Sequence, residues 1–324
     1  MVSPAAPPDT LSDIDLHLPD RRDGKVRVSY RFGPGRRLFV TTDRLSAFDR
    51  VIALVPHKGQ VLNQLAAWWF EQTADVVANH FVSAPDPNAT IGIEASTLPV
   101  EVIVRGAITG VTSTSLWHRY AGGARHIDGY EFPDGLSKND QLATPVITPT
   151  TKAVGGAHDE PLSCADVVAR GLVEPALWEQ VQDAALALFA RGREIGAAAG
   201  LILADTKYEF GLTPDGKLMV IDEIHTPDSS RWWLAATNGG AVTPQLSVGG
   251  EPENLDKEYV RRALDGAGYR GDGSPPALGA EFWSSVTDRY VACFERLTGT
   301  TFMPGTSPID ERIRATIASV GGDQ

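Results

Sequence analysis

The stretch Leu201-Ile202-Leu203-Ala204-Asp205-Thr206-Lys207-Tyr208-Glu209-Phe210-Gly211 narrows the possible folds more than any other part of the sequence. Four apolar residues open it, so the segment starts buried. Asp205, Lys207 and Glu209 then fall on one face by the two-residue period of a strand. Pro214-Asp215-Gly216 turns the chain and 217–224 returns, which predicts an antiparallel hairpin. A two-residue turn at Asp215-Gly216 sets Glu209 directly opposite Asp222. Carboxylates so placed repel by about 4 kcal/mol at ~4 Å and an effective dielectric of ~20. A hard divalent cation shared with phosphate oxygens is the simplest offset. The alternatives are a solvated charged face, where repulsion falls to ~1 kcal/mol, and a longer loop at Pro214 that shifts the register.

The rest of the pattern mixes strands and helices without a regular βαβ series, which predicts an α+β fold. Val26, Val28, Tyr30 and Phe32 alternate with polar residues, Gly33-Pro34-Gly35 turns, and 38–42 returns as a second hairpin. Apolar residues at helical spacing predict a helix over 61–78, and 99–108 alternates as a strand. Residues 121–160 are rich in Gly, Pro, Thr and Asp with weak periodicity and read as a long functional loop. Ser163 with Asp166 resembles a capping box. A helix is expected over 175–199, with Pro175 at its start and Gly200 past its end. Further helices are expected over 281–297 and 309–320.

Length and composition bound the class. A chain of 324 residues, 42% hydrophobic and 22% charged, suits two globular domains or one large domain with an appendage. Its net charge of −12 argues against nucleic acid or an acidic membrane as the main partner. Cys164 and Cys293 stand far apart with no CxxC spacing, which fits a reducing cytosol and a cytoplasmic protein. Residues 1–20 carry Asp9, Asp13 and Asp15 among prolines, unlike a signal peptide, and read as an arm. No apolar run approaches the ~20 residues of a membrane span.

Several other segments carry chemistry. Gly24-Lys25-Val26-Arg27 suits a hairpin over nucleotide phosphates, although a basic hairpin edge has the same sequence; no GxxxxGK[ST] loop occurs. Thr42-Asp43-Arg44-Leu45-Ser46-Ala47-Phe48-Asp49-Arg50 is charge-dense between two strands. Arg105 ends a strand beside Gly106, where pairing with a carboxylate is the commoner role and phosphate binding the rarer one. Asp228, Ser230 and Arg231 leave a buried strand together, and the planar fork of Arg231 suits a phosphate or carboxylate; the alternative is a turn former at Asp228 or Ser229 and a surface arginine at 231. Lys152, His158, Asp159 and Glu160 lack a second ligand at zinc spacing. HExxH and GxSxG are absent, so hydrolase chemistry has no support.

Six segments in order, GKVR at 24–27, TTDRLSAFD at 41–49, VEVIVRGAITG at 100–110, TPTTKAVGGAHDE at 148–160, ADTKYEFG at 204–211 and DEIHTPDSSRWW at 222–233, resemble the phosphoribosylaminoimidazole-succinocarboxamide synthase (SAICAR synthetase) family. The resemblance implies a two-lobed α+β protein: an arm at 1–20, a kinase-like β-rich N-terminal lobe at 21–112, and an ATP-grasp-like domain with C-terminal helices at 113–324. It implies ATP-dependent condensation of carboxyaminoimidazole ribonucleotide (CAIR) with L-aspartate, through an acyl phosphate, to SAICAR, ADP and phosphate, with Mg²⁺. These partners are small molecules, and a monomer is slightly favoured over a homodimer.

Carried over by position, Lys25 and Arg27 contact ATP. Glu209 and Asp222 hold the metal and ATP. Asp205 and Lys207 are catalytic, lining the CAIR pocket. Asp43, Ser46, Arg105, Ser115, Lys152, His158, Asp228, Ser230 and Arg231 bind CAIR or aspartate. Three departures stand out: Val28 where the family usually has Asp, Val111 where it usually has Ser, and a longer segment at 236–254 with no assigned role. Ser115 is chosen as the hydroxyl because Ser-Leu-x-x-Arg follows it. A small-molecule kinase, or a ligase with another substrate, is the nearest alternative; phosphate release requiring both CAIR and L-aspartate separates them. A non-catalytic nucleotide-binding protein would release no phosphate.

Overall fold

The computed structural model describes residues 9–112, 114–152, 159–238 and 241–321. In chain order the elements are β1 (Arg22–Asp23), β2 (Arg27–Arg31), β3 (Arg36–Thr41), β4 (Arg44–Ala47), β5 (Arg50–Leu54), α1 (Lys58–Gln72), β6 (Phe81–Asp86), β7 (Ala89–Ile93) and β8 (Ser96–Ala107). They continue with α2 (Leu116–Ala121), β9 (His126–Ile127), β10 (Tyr130–Glu131), β11 (Gln141–Ile147), β12 (Thr150–Thr151), α3 (Cys164–Ala169) and α4 (Pro175–Ala198). The last are β13 (Leu201–Leu212), β14 (Leu218–Ile221), β15 (Ser230–Asn238), β16 (Ala241–Pro244), α5 (Glu258–Gly266), α6 (Ala280–Thr298) and α7 (Ile309–Gly321). The fold is α+β, as expected.

Two compact units result. The first comprises 1–71, 80–94 and 255–324; the second comprises 72–79 and 95–254. This division differs from the expected boundary after 112. The long strand β8 belongs with the second unit because β13 pairs along most of its length, and the C-terminal helices belong with the first.

In the first unit, β1-β2-β3-β7-β6 form one antiparallel sheet. Gly33 and Gly35 both take positive φ and close the β2–β3 turn. Val28, Tyr30, Leu38, Val40 and Ile91 pack against Ile309, Ile313 and Ile317, a 3.6-period stripe on α7. Leu11 and Ile14 of the N-terminal arm join this core, and the Tyr30 hydroxyl donates to the Ile14 carbonyl at 2.5 Å. Val28 is fully buried there, so an acidic side chain at that position would sit in apolar surroundings.

In the second unit the sheet order is β11-β8-β13-β15-β16, with β12 on β8 and β14 on β13. Helix α4 begins at Pro175 and lies against β13. Two glycines one turn apart permit the close approach. A Cβ on Gly192 would lie 2.6 Å from the His225 ring, and one on Gly196 2.4 Å from Trp232. The capping box holds: Ser163 accepts from the Asp166 amide, and Asp166 accepts from the Ser163 amide.

Two expectations need correction. The first helix spans Lys58–Gln72, not 61–78. The expected loop at 121–160 contains three short strands and the edge strand β11, whose bulge between Gln141 and Val146 breaks the alternation a sequence would display. Pro145 sits in that edge strand, where a missing amide is tolerated.

Candidate active site

Strand β13 exchanges partners along its length. β8 pairs with it from Asp205 to Leu212, while β15 covers its first half and β14 its end from Glu209. The loop 222–229 leaves at this fork, and the Lys207 amide donates to the Ser229 carbonyl at 3.0 Å. Asp222 and His225 both take positive φ in that loop, a conformation Asp and His tolerate better than most residues.

One end of the charged face is built from guanidinium groups. Asp205 pairs in register with Arg105 on β8 and Arg231 on β15. Its Oδ2 accepts from Arg231 Nη1 and lies 3.7 Å from Arg105 Nη1. Arg105 Nε donates to Thr148 Oγ1 at 2.7 Å. Burial pushes the Arg105 guanidinium down from its ordinary value, and Asp205 opposes that shift. Gly110 takes a φ of +100° beside this group; a Cβ there would lie 2.5 Å from Ser115 Cβ and 3.2 Å from Arg231 Nη2. The buried Ser115 hydroxyl caps α2 and donates to the Thr112 carbonyl at 2.7 Å. Two guanidinium groups against one carboxylate leave this end net positive, which suits an anionic substrate group.

The other end interleaves ammonium and carboxylate groups. The expected pairing of Glu209 with Asp222 is corrected: Glu209 faces Ile221, because the turn spans 213–217 rather than two residues. Thr213 closes it by donating its amide to the Lys217 carbonyl at 2.9 Å. The carboxylate directly opposite Glu209 is Glu101, on the other flanking strand. Lys207 Nζ lies 2.7 Å from Glu209 Oε1 and 2.9 Å from Glu101 Oε1, and Lys152 Nζ donates to Glu209 Oε2. Burial alone would lower the Lys207 ammonium, but Glu209, Glu101 and Asp222 outweigh it and hold it above its ordinary value. Burial likewise opposes the Glu209 charge, yet Lys207 and Lys152 hold that carboxyl below the usual range. Burial, helped by Glu209 and Asp159, pushes Glu101 up against the pull of Lys207. Among the described residues, no three His, Cys, Asp or Glu side chains form a metal-holding group by themselves.

Other expected site residues are distributed as follows. Ser230 is buried and donates to Thr206 Oγ1 at 2.7 Å. The Asp228 amide donates to Thr226 Oγ1 at 3.3 Å within the fork loop. His158 lies outside the described residues. In the first unit, Lys25 Nζ pairs with Asp49 Oδ1 at 2.5 Å in the turn that precedes β2, which Arg27 opens. Asp43 is fully buried, accepting from the Leu11 amide at 2.7 Å and the Gly59 amide at 2.8 Å. With an amide on each oxygen, it anchors the N-terminal arm to the start of α1. Ser46 is buried in β4 opposite Val51.

Sequence reasoning missed Glu101. The signal was present: it stands four residues before Arg105 on one strand, so both share a face, and that face meets Asp205, Lys207 and Glu209. Thr148, which orients Arg105, carries no such signal.

The SAICAR synthetase family model matches residues 20–276. A phosphoribosylaminoimidazole-succinocarboxamide synthase from Legionella pneumophila (strain Lens) is 44% identical over 94% of this chain and 97% of its own. A solved SAICAR synthase from Saccharomyces cerevisiae, complexed with SAICAR, is 30% identical, with a TM-score of 0.76 over 91% of this chain and 100% of that one. A SAICAR synthetase (type 2) solved in complex with ADP shares the fold at 21% identity, with a TM-score of 0.66 over 88% of this chain and 100% of that one. No helix among the described residues is long and apolar enough to cross a membrane. This chain belongs to the SAICAR synthetase family.

Proposed function

We propose that this chain is an ATP-dependent carbon–nitrogen ligase that condenses CAIR with L-aspartate to give SAICAR, ADP and phosphate. The observation that carries the reading is the charged face of β13 and β8. A guanidinium pair stands at one end, and a lysine–carboxylate cluster stands four residues, about 13 Å, along the strand. That length accommodates a ribonucleotide lying along the face, its phosphate on Arg105 and Arg231 and its carboxylate near Lys207. Ser115 and Gly110 border the phosphate end, and Asp205 holds the two guanidinium groups in place. Arg231 engages Asp205 Oδ2, and Asp205 Oδ1 stands as a second proton acceptor for the aspartate amine.

A carboxylate resists amines because its leaving group would be oxide. Attack of the CAIR carboxylate on the γ-phosphorus of ATP releases ADP and makes an acyl phosphate. The aspartate amine then attacks the acyl carbon, phosphate leaves, and the departing phosphate takes up the amine's proton. Positioning and charge neutralisation are the protein's contribution. Lys207 and Lys152 neutralise charge where the acyl phosphate forms. Lys25 and Arg27 bind ATP phosphates. Magnesium ordinarily takes one or two carboxylates together with phosphate oxygens and water; Glu209, held ionised, and Asp222, close enough to act on Lys207, fit that donor set. When bound, the ion offsets phosphate charge. The reading includes small-molecule partners alone, a cytoplasmic setting and a monomer.

The test is phosphate release with each substrate omitted in turn. Release that requires ATP, CAIR and L-aspartate together is expected. Release without L-aspartate, or with another ribonucleotide in place of CAIR, contradicts the reading.

A further inference from the structure

We infer that Glu101 is a positioning residue for the metal-dependent step: it keeps Lys207 in place when Glu209 turns to a cation. The inference rests on the proposed roles of Glu209 and Lys207.

Glu101 and Glu209 are register partners on β8 and β13, and the Lys207 ammonium bonds one oxygen of each. All three side chains are largely shielded, at 16%, 11% and 31% exposure. Lys152 takes the other Glu209 oxygen. Glu209 therefore has both oxygens engaged by ammonium groups, and a cation approaching either oxygen competes with the ammonium already there. If Lys207 had Glu209 as its sole carboxylate, every metal-binding event would strip a shielded ammonium of its partner, which is costly. Glu101 removes that conflict. It holds one Lys207 hydrogen bond while Glu209 exchanges the other for the cation, and Lys207 stays aimed at the site. Asp222 also acts on Lys207, and Asp159 on Glu101. The backbone of Glu101 is fixed independently, since β12 pairs with it at Thr150.

The neutral isostere Glu101→Gln removes the charge and keeps the shape. Lys207 then pairs more tightly with Glu209 and competes with the cation. The experiment measures ADP affinity by titration calorimetry with and without Mg²⁺, with no turnover involved. In the wild type Mg²⁺ tightens ADP binding. In Glu101→Gln that tightening falls by about tenfold, the usual size for loss of an outer-shell partner, while metal-free ADP affinity changes less than about twofold. Glu101→Asp restores part of it. In turnover, the Mg²⁺ concentration for half-maximal rate rises by a similar factor while KM for CAIR holds. A loss of folding stability with unchanged Mg²⁺ dependence in both variants overturns the inference and assigns Glu101 a purely structural role. Indifference of wild-type ADP affinity to Mg²⁺ overturns the underlying metal reading, and this inference with it.

Discussion

Glu101 and Glu209 face each other across β8 and β13 with the Lys207 ammonium between them, 2.9 Å from one carboxylate and 2.7 Å from the other. Like charges directly opposite on adjacent strands destabilise a sheet. Here Lys207 and Lys152 balance the pair, and Asp222 adds a third carboxylate to the surroundings of Lys207. The cluster therefore holds three carboxylates against two ammonium groups.

At the other end of the face, Arg231→Lys replaces a planar fork with a point charge. The apparent KM for CAIR should rise about tenfold, the order expected for losing one charge-assisted hydrogen bond, with kcat changed far less. Phosphate release against CAIR concentration measures it. An unchanged KM removes Arg231 from the substrate site.

Asp205→Asn leaves Arg105 and Arg231 shielded without their carboxylate. Stability without substrate should fall by about 3–5 kcal/mol, the usual cost of breaking a buried pair from one side. An anionic ligand then compensates, so CAIR should raise the thermal midpoint of Asp205→Asn more than that of the wild type. Differential scanning fluorimetry with and without CAIR reads both effects.

The charged face was legible in the sequence because strand periodicity alone places Asp205, Lys207 and Glu209 together. The partner of Glu209 was not. Register depends on turn length, and the five-residue turn at Thr213–Lys217, closed by the Thr213 amide, shifts β14 by one residue. Glu101 was hidden for another reason: the adjacency of β8 and β13 joins residues more than a hundred positions apart, which no local pattern encodes. Arg105, flagged in the sequence for carboxylate pairing or phosphate binding, lies beside Asp205 through the same adjacency. Asp43 illustrates the converse. A motif match suggested substrate contact, whereas burial and two backbone amides show an anchor.

Helix α4 depends on Gly196 at its closest approach to the sheet. Gly196→Ala should destabilise by about 1–3 kcal/mol through overpacking against Trp232. Gly266→Ala, at the end of α5 with open space around it, should be neutral or stabilise by up to about 1 kcal/mol. Urea unfolding midpoints compare the two.

His225 makes stability depend on pH. It is fully buried, Nε2 lies 3.1 Å from the Leu188 carbonyl and 3.2 Å from the Tyr208 hydroxyl, and burial lowers its pKa to about 3. The unfolded chain binds a proton there below about pH 6.5 and the folded chain does not. This contribution is therefore complete above that pH and is lost as the pH falls toward 3. Between pH 6.5 and 5 it amounts to about 2 kcal/mol. His225→Asn should be less stable at pH 7 but lose correspondingly less between pH 6.5 and 5, as read from urea unfolding at both values.

The most direct test of the metal–phosphate reading is Glu209→Gln, assayed for ATP- and CAIR-dependent phosphate release across a Mg²⁺ titration. Removal of the charge should reduce turnover by at least about a hundredfold, the upper range for loss of a metal-site group, and shift any residual activity to higher Mg²⁺. Turnover and Mg²⁺ dependence equal to those of the wild type would contradict the placement of a nucleotide-bound cation at this cluster.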